Sequence, residues 1–116
     1  MKRDMDLARA LLLTAEDGDR TRLAGYSPED CAGHFLILRD AGLVLGVVSG
    51  NDASPGRFMI HRLTWQGHEF LQSVRENTIW QKAKARVLRD GASWSFEILK
   101  EWVKHELKEK TGLPLP

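Results

Sequence analysis

Apolar residues recur at intervals of three and four in the first part of the chain, which is the spacing of amphipathic helices. The first predicted helix covers about Asp4–Glu16, with its first residue as the N-terminal cap. A second helix begins at Ser27, because serine caps helices and Pro28 fits the first helical position, and it ends at Gly42. Between the two helices, Thr21–Ala24 is predicted to be a short strand.

Strand-like alternation replaces the helical spacing after the second helix. Leu43–Ser49 is apolar and rich in β-branched residues, and Arg57–Leu63 alternates between two faces. The turn-forming run 50–56 separates them, so the pattern predicts a β-hairpin with a long loop. Strict alternation in the second strand places Phe58 on one face and Leu63 on the other.

Three further helices are predicted in the rest of the chain. The third covers about Trp65–Arg75, with Thr64 as its cap and Trp65 among its buried residues. The fourth covers about Thr78–Arg89, and the last begins after Ser95.

The order of these elements predicts an α+β fold. A length of 116 residues suits one domain. Helix, helix and hairpin is the order of a winged-helix domain with a wing of two or three strands. We therefore predict a single winged-helix-like domain over 1–116, with its core at 1–75 and a C-terminal helical extension at 76–116. The interval Asp17–Tyr26 is too short for a turn, a helix and another turn, which predicts a truncated helix-turn-helix.

Specific motifs add a resemblance to this outline. Residues 62–71 read RLTWQGHEFL and resemble the L-T-x-x-G-x-x-F-L segment that leaves the wing in bacterial winged-helix regulators. There Thr64 caps the helix, and Gly67 lets its first turn approach the neighbouring backbone closely. With MKRDMDL at the start, GYS followed by His34, and TIWQKAK at 78–84, the chain resembles a bacterial family called domain of unknown function 2513. The resemblance implies a winged-helix-like fold and a phage or prophage origin.

Composition narrows the class of protein. The longest uncharged stretch, 41–51, has eleven residues, whereas a membrane-spanning helix needs about twenty, so we expect no membrane partner. The first residues lack the pattern of a signal peptide. Because Cys31 is the single cysteine, no internal disulfide can form, and a reducing cytoplasm is the expected location.

Charge is unevenly distributed along the chain. Residues 57–91 carry seven bases and three acids, a net charge of +4, which suits contact with phosphates through the wing and fourth helix. The candidate nucleic-acid-binding residues are Arg57, Arg62, Lys82, Lys84, Arg86 and Arg89. The alternative is that the fourth helix simply has a solvated basic face. The second helix argues against base recognition, because it carries Glu29, Asp30 and Asp40 with Arg39 as its one base.

Histidine and cysteine suggest two candidate chemical sites, and neither is complete. Cys31 and His34 are three residues apart on a helix, but no third metal ligand lies at a usual spacing. His61 and His68 flank the end of the hairpin without a nucleophile at a recognisable turn. We therefore predict no catalytic residue, no metal site and no cofactor, and expect the protein not to be an enzyme.

All four tryptophans lie in the second half of the chain. The favoured interpretation is that they anchor the core, and the alternative is that Trp94 or Trp102 is exposed to a partner. The broad apolar face of the last helix suits either packing or a homodimer contact. The residues expected to matter for structure are Thr64, Gly67, Trp65, Trp80 and Trp102.

The leading hypothesis from the sequence is a non-enzymatic DNA-binding or regulatory protein of phage or prophage type. Double-stranded DNA is then the partner, bound through the wing and the fourth helix. The alternative hypothesis is a protein-interaction module on a degenerate winged-helix scaffold, binding a host or phage protein.

Overall fold

Helices and one antiparallel hairpin follow each other in the chain. A computed structural model describes residues 2–49, 57–86, 101, 102 and 105. The elements are α1 (Met5–Asp17), a 3₁₀ helix (Arg20–Leu23), α2 (Pro28–Asp40), β1 (Val44–Ser49), β2 (Arg57–Leu63), α3 (Trp65–Val74) and α4 (Asn77–Arg86). The predicted α+β class, with helices around an antiparallel wing, is confirmed. The chain divides into two compact units, Met1–Leu71 and Gln72–Pro116.

Helix α1 begins and ends as its sequence predicts. The Asp4 carboxylate accepts hydrogen bonds from the backbone N–H groups of Asp6 (2.9 Å) and Leu7 (3.2 Å), which otherwise lack partners in the first turn. The helix ends at Gly18, whose backbone is left-handed. Its buried apolar residues are Met5, Leu7, Ala8, Leu11 and Leu12.

The predicted strand at Thr21–Ala24 is wrong, because a 3₁₀ helix occupies Arg20–Leu23. The Asp19 carboxylate accepts from both the backbone N–H (3.0 Å) and the hydroxyl (2.6 Å) of Thr21, which closes a tight helical turn. Arg22 donates two hydrogen bonds of 2.8 Å to the Asp17 carboxylate. These bonds hold the pKa of Asp17 well below its usual range.

Helix α2 has the predicted cap at each end. The Ser27 hydroxyl oxygen accepts from the Asp30 N–H at 3.1 Å. At the other end, the Gly42 N–H donates to the Arg39 carbonyl and the Leu43 N–H donates to the Leu38 carbonyl, both at 3.0 Å. This pair of bonds is a Schellman motif, and it turns the chain directly into β1.

The hairpin forms as predicted, but one assigned face is wrong. Val48 lies opposite Phe58, and Val44 lies opposite Leu63. The register shifts between Leu45 and Gly46, so β2 holds one extra residue there. The extra residue returns Leu63 to the same face as Phe58, and both are buried.

The core of the first unit lies between this inner face of the hairpin and the helices. α2 packs against both strands, and α1 packs against α2 and β2. The rings of Phe35 and Phe58 stack with centroids 5.2 Å apart. Gly46 makes room for this pair, because a Cβ atom there would lie 2.8 Å from Phe35 Cζ.

His34 ties α1 to α2 from inside the core. It is 1% exposed, and its Nε2 accepts from the Asp4 backbone N–H at 2.7 Å. Its Nδ1 lies 2.8 Å from the Asp30 carbonyl oxygen and donates to it. Both ring nitrogens of this buried histidine therefore serve the fold.

We expect His34→Phe to lower the free energy of unfolding by about 2 kcal/mol, because the ring is kept while both hydrogen bonds are lost. Chemical denaturation measures the change. His68→Phe is the control, since His68 is exposed. Equal stability of the two variants would contradict a structural role for the His34 hydrogen bonds.

The prediction that α3 buries Trp65 is wrong, because Trp65 is 74% exposed. The buried stripe of α3 starts two residues later and runs through Gly67, Phe70, Leu71 and Val74. Trp65 lies outside that three-four spacing and so points away from the stripe.

No helix among the described residues is long and apolar enough to cross a membrane.

Helix α4 begins within a residue of its predicted start. The Glu76 carboxylate caps it by accepting from the backbone N–H groups of Thr78 (2.9 Å) and Ile79 (3.1 Å). The predicted inward residues of α4 that the structure describes are buried, namely Ile79, Trp80 and Ala83.

Trp102 is helical and half-buried, whereas Trp94, Ser95 and most of the predicted last helix lie outside the described residues.

Candidate nucleic-acid interface

Two arginines from helical segments meet the stacked phenylalanine pair at the hairpin. The Arg20 Cζ lies 4.6 Å from the centroid of the Phe58 ring. The Arg39 Cζ lies 5.9 Å from the centroid of the Phe35 ring. Arg57 adjoins Phe58 in β2. We call Arg20, Arg39 and Arg57 the arginine cluster: the first two lie against the aromatic pair. Arg57 is the chain neighbour of Phe58, and its side chain belongs to the other face of the hairpin.

The cluster has the chemistry of a phosphate-binding surface. All three of its side chains are exposed. A guanidinium that stacks on a ring still directs its N–H groups outward in the ring plane. Those groups can donate to phosphate oxygens in pairs, with bonds that the opposite charges strengthen.

The chain positions each member of the cluster in a different way. Arg20 opens the 3₁₀ helix that Asp19 caps. Arg39 lies in the last turn of α2, where a positive charge suits the exposed carbonyl groups. Arg57 is the first residue of β2.

Sequence reasoning named Arg57 but missed Arg20 and Arg39. Arg39 follows Phe35 by four residues, a spacing at which side chains of one helix meet, so this contact had a local signal. Arg20 and Phe58 lie far apart in the chain, and only the packing of the 3₁₀ helix near β2 reveals their contact.

The other predicted basic residues are divided between the two compact units. Arg62 is exposed on β2, and its Nη1 donates to the Leu63 carbonyl at 3.2 Å. Lys82 is exposed and Lys84 half-buried on α4, which lies in the second unit. Arg86 is the last residue of α4, and Arg89 lies outside the described residues.

The solvent-facing side of α2 lacks the chemistry of a base-reading helix. Glu29, Asp30 and Asp40 are exposed, and Leu36 and Ile37 are half-buried. Carboxylates at these positions repel the phosphate backbone that flanks the major groove. Any nucleic acid that meets this unit would therefore be held by arginine–phosphate contacts more than by base edges.

Thr64 and Gly67 join the end of the hairpin to the end of α2. The Thr64 N–H donates to the Leu43 carbonyl at 3.0 Å, and its hydroxyl donates to the Gly42 carbonyl at 2.5 Å. The same hydroxyl oxygen accepts from the Gly67 N–H at 3.0 Å, as an N-terminal cap does. A Cβ atom on Gly67 would collide with the Leu43 carbonyl group, so the backbones lie as close as the motif predicts.

We expect Thr64→Ala to lower the free energy of unfolding by about 1 kcal/mol, because the cap and the bond to the Gly42 carbonyl are both lost. Thr64→Ser keeps the hydroxyl and should stay near wild type. Thermal unfolding of both variants checks the difference. Loss of the same stability in the serine variant would show that the methyl group, rather than the hydrogen bonds, matters.

Cys31 and His34 do not have the properties of a reactive pair. Cys31 is buried, and that burial raises the pKa of its thiol, which disfavours the thiolate that nucleophiles and metals need. Both nitrogens of His34 already bond to the backbone. Within the part of the chain that the structure describes, no three metal-ligating side chains cluster.

Comparisons with known proteins identify a matching family and a similar bacterial protein. The family described as "Hypothetical protein (DUF2513)" matches residues 2–93. An "Uncharacterized protein" of Haemophilus influenzae is 32% identical over 108 residues, which cover 87% of this chain and 91% of that protein. No solved structure matches the chain. The chain therefore belongs to the family of unknown function DUF2513, as its sequence motifs suggest.

Proposed function

We propose that the protein is a non-enzymatic, winged-helix-like DNA-binding regulator. The observation that carries the proposal is the arginine cluster, in which two exposed guanidinium groups lie against the aromatic pair and Arg57 precedes Phe58 at the start of β2. Phosphate contact by several exposed arginines is the main source of sequence-independent DNA affinity.

The order of elements supports the same proposal. α1, the 3₁₀ helix and α2 precede the hairpin, which is the order of a winged helix with its middle helix shortened. The interval between α1 and α2 is too short for a full α-helix, but it holds the four-residue 3₁₀ helix. This segment takes the place of the second helix of a helix-turn-helix, and it also supplies Arg20.

The charge of α2 defines the expected mode of binding. Because Glu29 and Asp30 occupy its first turn, we do not expect α2 to enter the major groove by its N-terminal end. We expect binding to the phosphate backbone, with little preference for sequence and steep dependence on salt. Lys82 and Lys84 are candidates for further phosphate contacts.

The biological setting is part of the proposal. A phage or prophage role rests on the family resemblance of the motifs described above. A cytoplasmic location rests on Cys31, a buried free thiol that suits a reducing compartment.

The test is fluorescence anisotropy of a labelled random-sequence DNA duplex titrated with the full chain at several salt concentrations. We expect tight binding at low salt and a linear fall of log Kobs with log salt concentration. Arg57→Gln should reduce the slope by about one, because one phosphate contact is lost. Arg20→Gln and Arg39→Gln should act in the same way.

Lys2→Gln is the matched control, since it removes one exposed positive charge that lies before α1. It should leave the salt slope unchanged. The proposal fails if wild type does not bind at low salt, or if Lys2→Gln weakens binding as much as Arg57→Gln does.

A second candidate function is protein interaction, which the exposed acids and half-buried leucine and isoleucine of α2 favour. A basic protein segment suits this face. Asp40→Lys should then abolish binding of a lysine-rich amphipathic peptide, while DNA binding stays or strengthens.

A dimer through the C-terminal helix is a separate proposal, and sedimentation of Trp102→Ala beside wild type tests it.

A further inference from the structure

The hairpin has a second apolar face, which the core does not use. Leu45, Val47 and Met59 are 41%, 47% and 61% exposed. Val47 lies directly opposite Met59, and Leu45 lies two residues before Val47 in the same strand. Residues two apart and residues directly opposite each other share one face of a sheet, so these three side chains form a continuous patch. We call it the outer face.

Arginines stand at both ends of the outer face. Arg62 lies opposite Leu45, and Arg57 lies opposite Ser49. The patch therefore has an apolar centre with a positive charge at each end. The two arginines are five residues apart on β2, which corresponds to about 15 Å along a strand.

The folding of this unit does not require apolar residues on the outer face. The inner face already supplies Val44, Phe58 and Leu63 to the core. A solvated face of an antiparallel sheet ordinarily alternates to polar residues at such positions. A contiguous exposed apolar patch of this kind marks an interaction surface more often than a bare surface.

We propose that the outer face docks one amphipathic helix of a partner protein, with an apolar stripe bounded by a carboxylate at each end. Sheets that are apolar on both faces are covered by a layer on each side, and a helix is the usual cover. A helix is about 10 Å wide, which matches a sheet of two strands about 4.8 Å apart. The terminal arginines select for acidic ends through charge complementarity.

The expected ligand can be written as a pattern. Its two acidic residues are about eleven positions apart, since that span covers about 16 Å of helix and returns to the same face. Leucines at the intervening positions of that face meet Leu45, Val47 and Met59. This site goes beyond DNA binding. It shares Arg57 with the arginine cluster, and its apolar centre does not depend on whether that cluster binds phosphate.

The probe is a labelled synthetic helical peptide with a leucine stripe and glutamates at these two positions, titrated with the full chain. We expect saturable binding. The double variant Val47→Thr with Met59→Gln should weaken it by about tenfold or more, because the apolar centre is lost while both strands keep suitable residues. A peptide with lysines in place of the glutamates should bind about tenfold more weakly to wild type.

Trp65→Gln is the control variant, since Trp65 is exposed and apolar but lies on α3 rather than on the hairpin. It should leave peptide binding unchanged. Equal weakening by this control would show indiscriminate apolar adhesion and would overturn the proposal, as would the absence of peptide binding to wild type.

Two further measurements distinguish a partner helix from other molecules that could cover the outer face. If wild type sediments as a dimer and the double variant as a monomer, the outer face binds a second copy of the chain. Loss of duplex DNA binding in the double variant would assign it to nucleic acid. Either result would overturn the helix proposal, whereas unchanged mass and unchanged DNA binding support it.

Discussion

Gly67→Ala should lower the free energy of unfolding by about 3 kcal/mol, since overpacking and a lost buried hydrogen bond each contribute. The added Cβ atom would collide with the Leu43 carbonyl group, whose carbon would be 2.9 Å away. That carbonyl also accepts the hydrogen bond from the Thr64 N–H. Because backbone atoms cannot rotate aside, the start of α3 must move away from the end of α2 or break this bond.

Gly25→Ala is the matched control for this substitution. Apart from its chain neighbours, no heavy atom of the described residues lies within 4 Å of the position that its Cβ would take. We expect its unfolding curve in urea to overlay that of wild type. A Gly67→Ala variant as stable as Gly25→Ala would contradict the close approach of the Gly67 and Leu43 backbones.

Phe35→Ala should lower the free energy of unfolding by about 3–5 kcal/mol, because a fully buried aromatic ring is removed. The cavity would open between the Phe58 ring and Gly46, where a glycine cannot fill it. The same change removes the ring on which Arg39 lies. We therefore expect weaker DNA binding in any variant protein that remains folded.

Phe35→Leu separates the two effects. It fills most of the cavity and should cost less stability than alanine, but it lacks the aromatic face that holds the guanidinium of Arg39. Denaturation and DNA titration of both variants provide the comparison. DNA affinity equal to wild type in folded Phe35→Leu would show that the ring does not position Arg39 for binding.

The features that the sequence predicted well depend on neighbours within a few positions of the chain. Ser27 and Pro28 marked the start of α2, and Gly42 marked its end, because helix caps are local hydrogen-bonding problems. The Thr64 and Gly67 junction followed from a short motif for the same reason. The hairpin followed from two β-branched segments around a run of turn-forming residues.

The features that the sequence predicted wrongly have three different causes. The extra residue in β2 reversed the expected face of Leu63, since a one-residue slip exchanges the two faces of a strand. The sequence predicts that Trp65 is buried with the other apolar residues of α3, whereas it lies off the buried stripe of that helix. The Thr21–Ala24 segment is short and has no clear pattern, and the side chain of Asp19 favours a tight helical turn there.

The candidate sites depend on contacts between distant parts of the chain. Arg20 reaches the hairpin only because the 3₁₀ helix folds beside it, and no spacing in the sequence shows this. The apolar outer face was equally hidden, because Val47 and Met59 become neighbours only in the register of the hairpin. Charge counts alone therefore found Arg57 and not the cluster to which it belongs.

The most direct test of DNA binding through the arginine cluster is NMR of the arginine side-chain N–H groups in the full chain, titrated with duplex DNA at low salt. We expect the resonances of Arg20, Arg39 and Arg57 to shift together and to return as salt is added. Arg22 should not shift, because its guanidinium is already held by the Asp17 carboxylate. Unchanged cluster resonances, or shifts that are no larger than that of Arg22, would contradict the account.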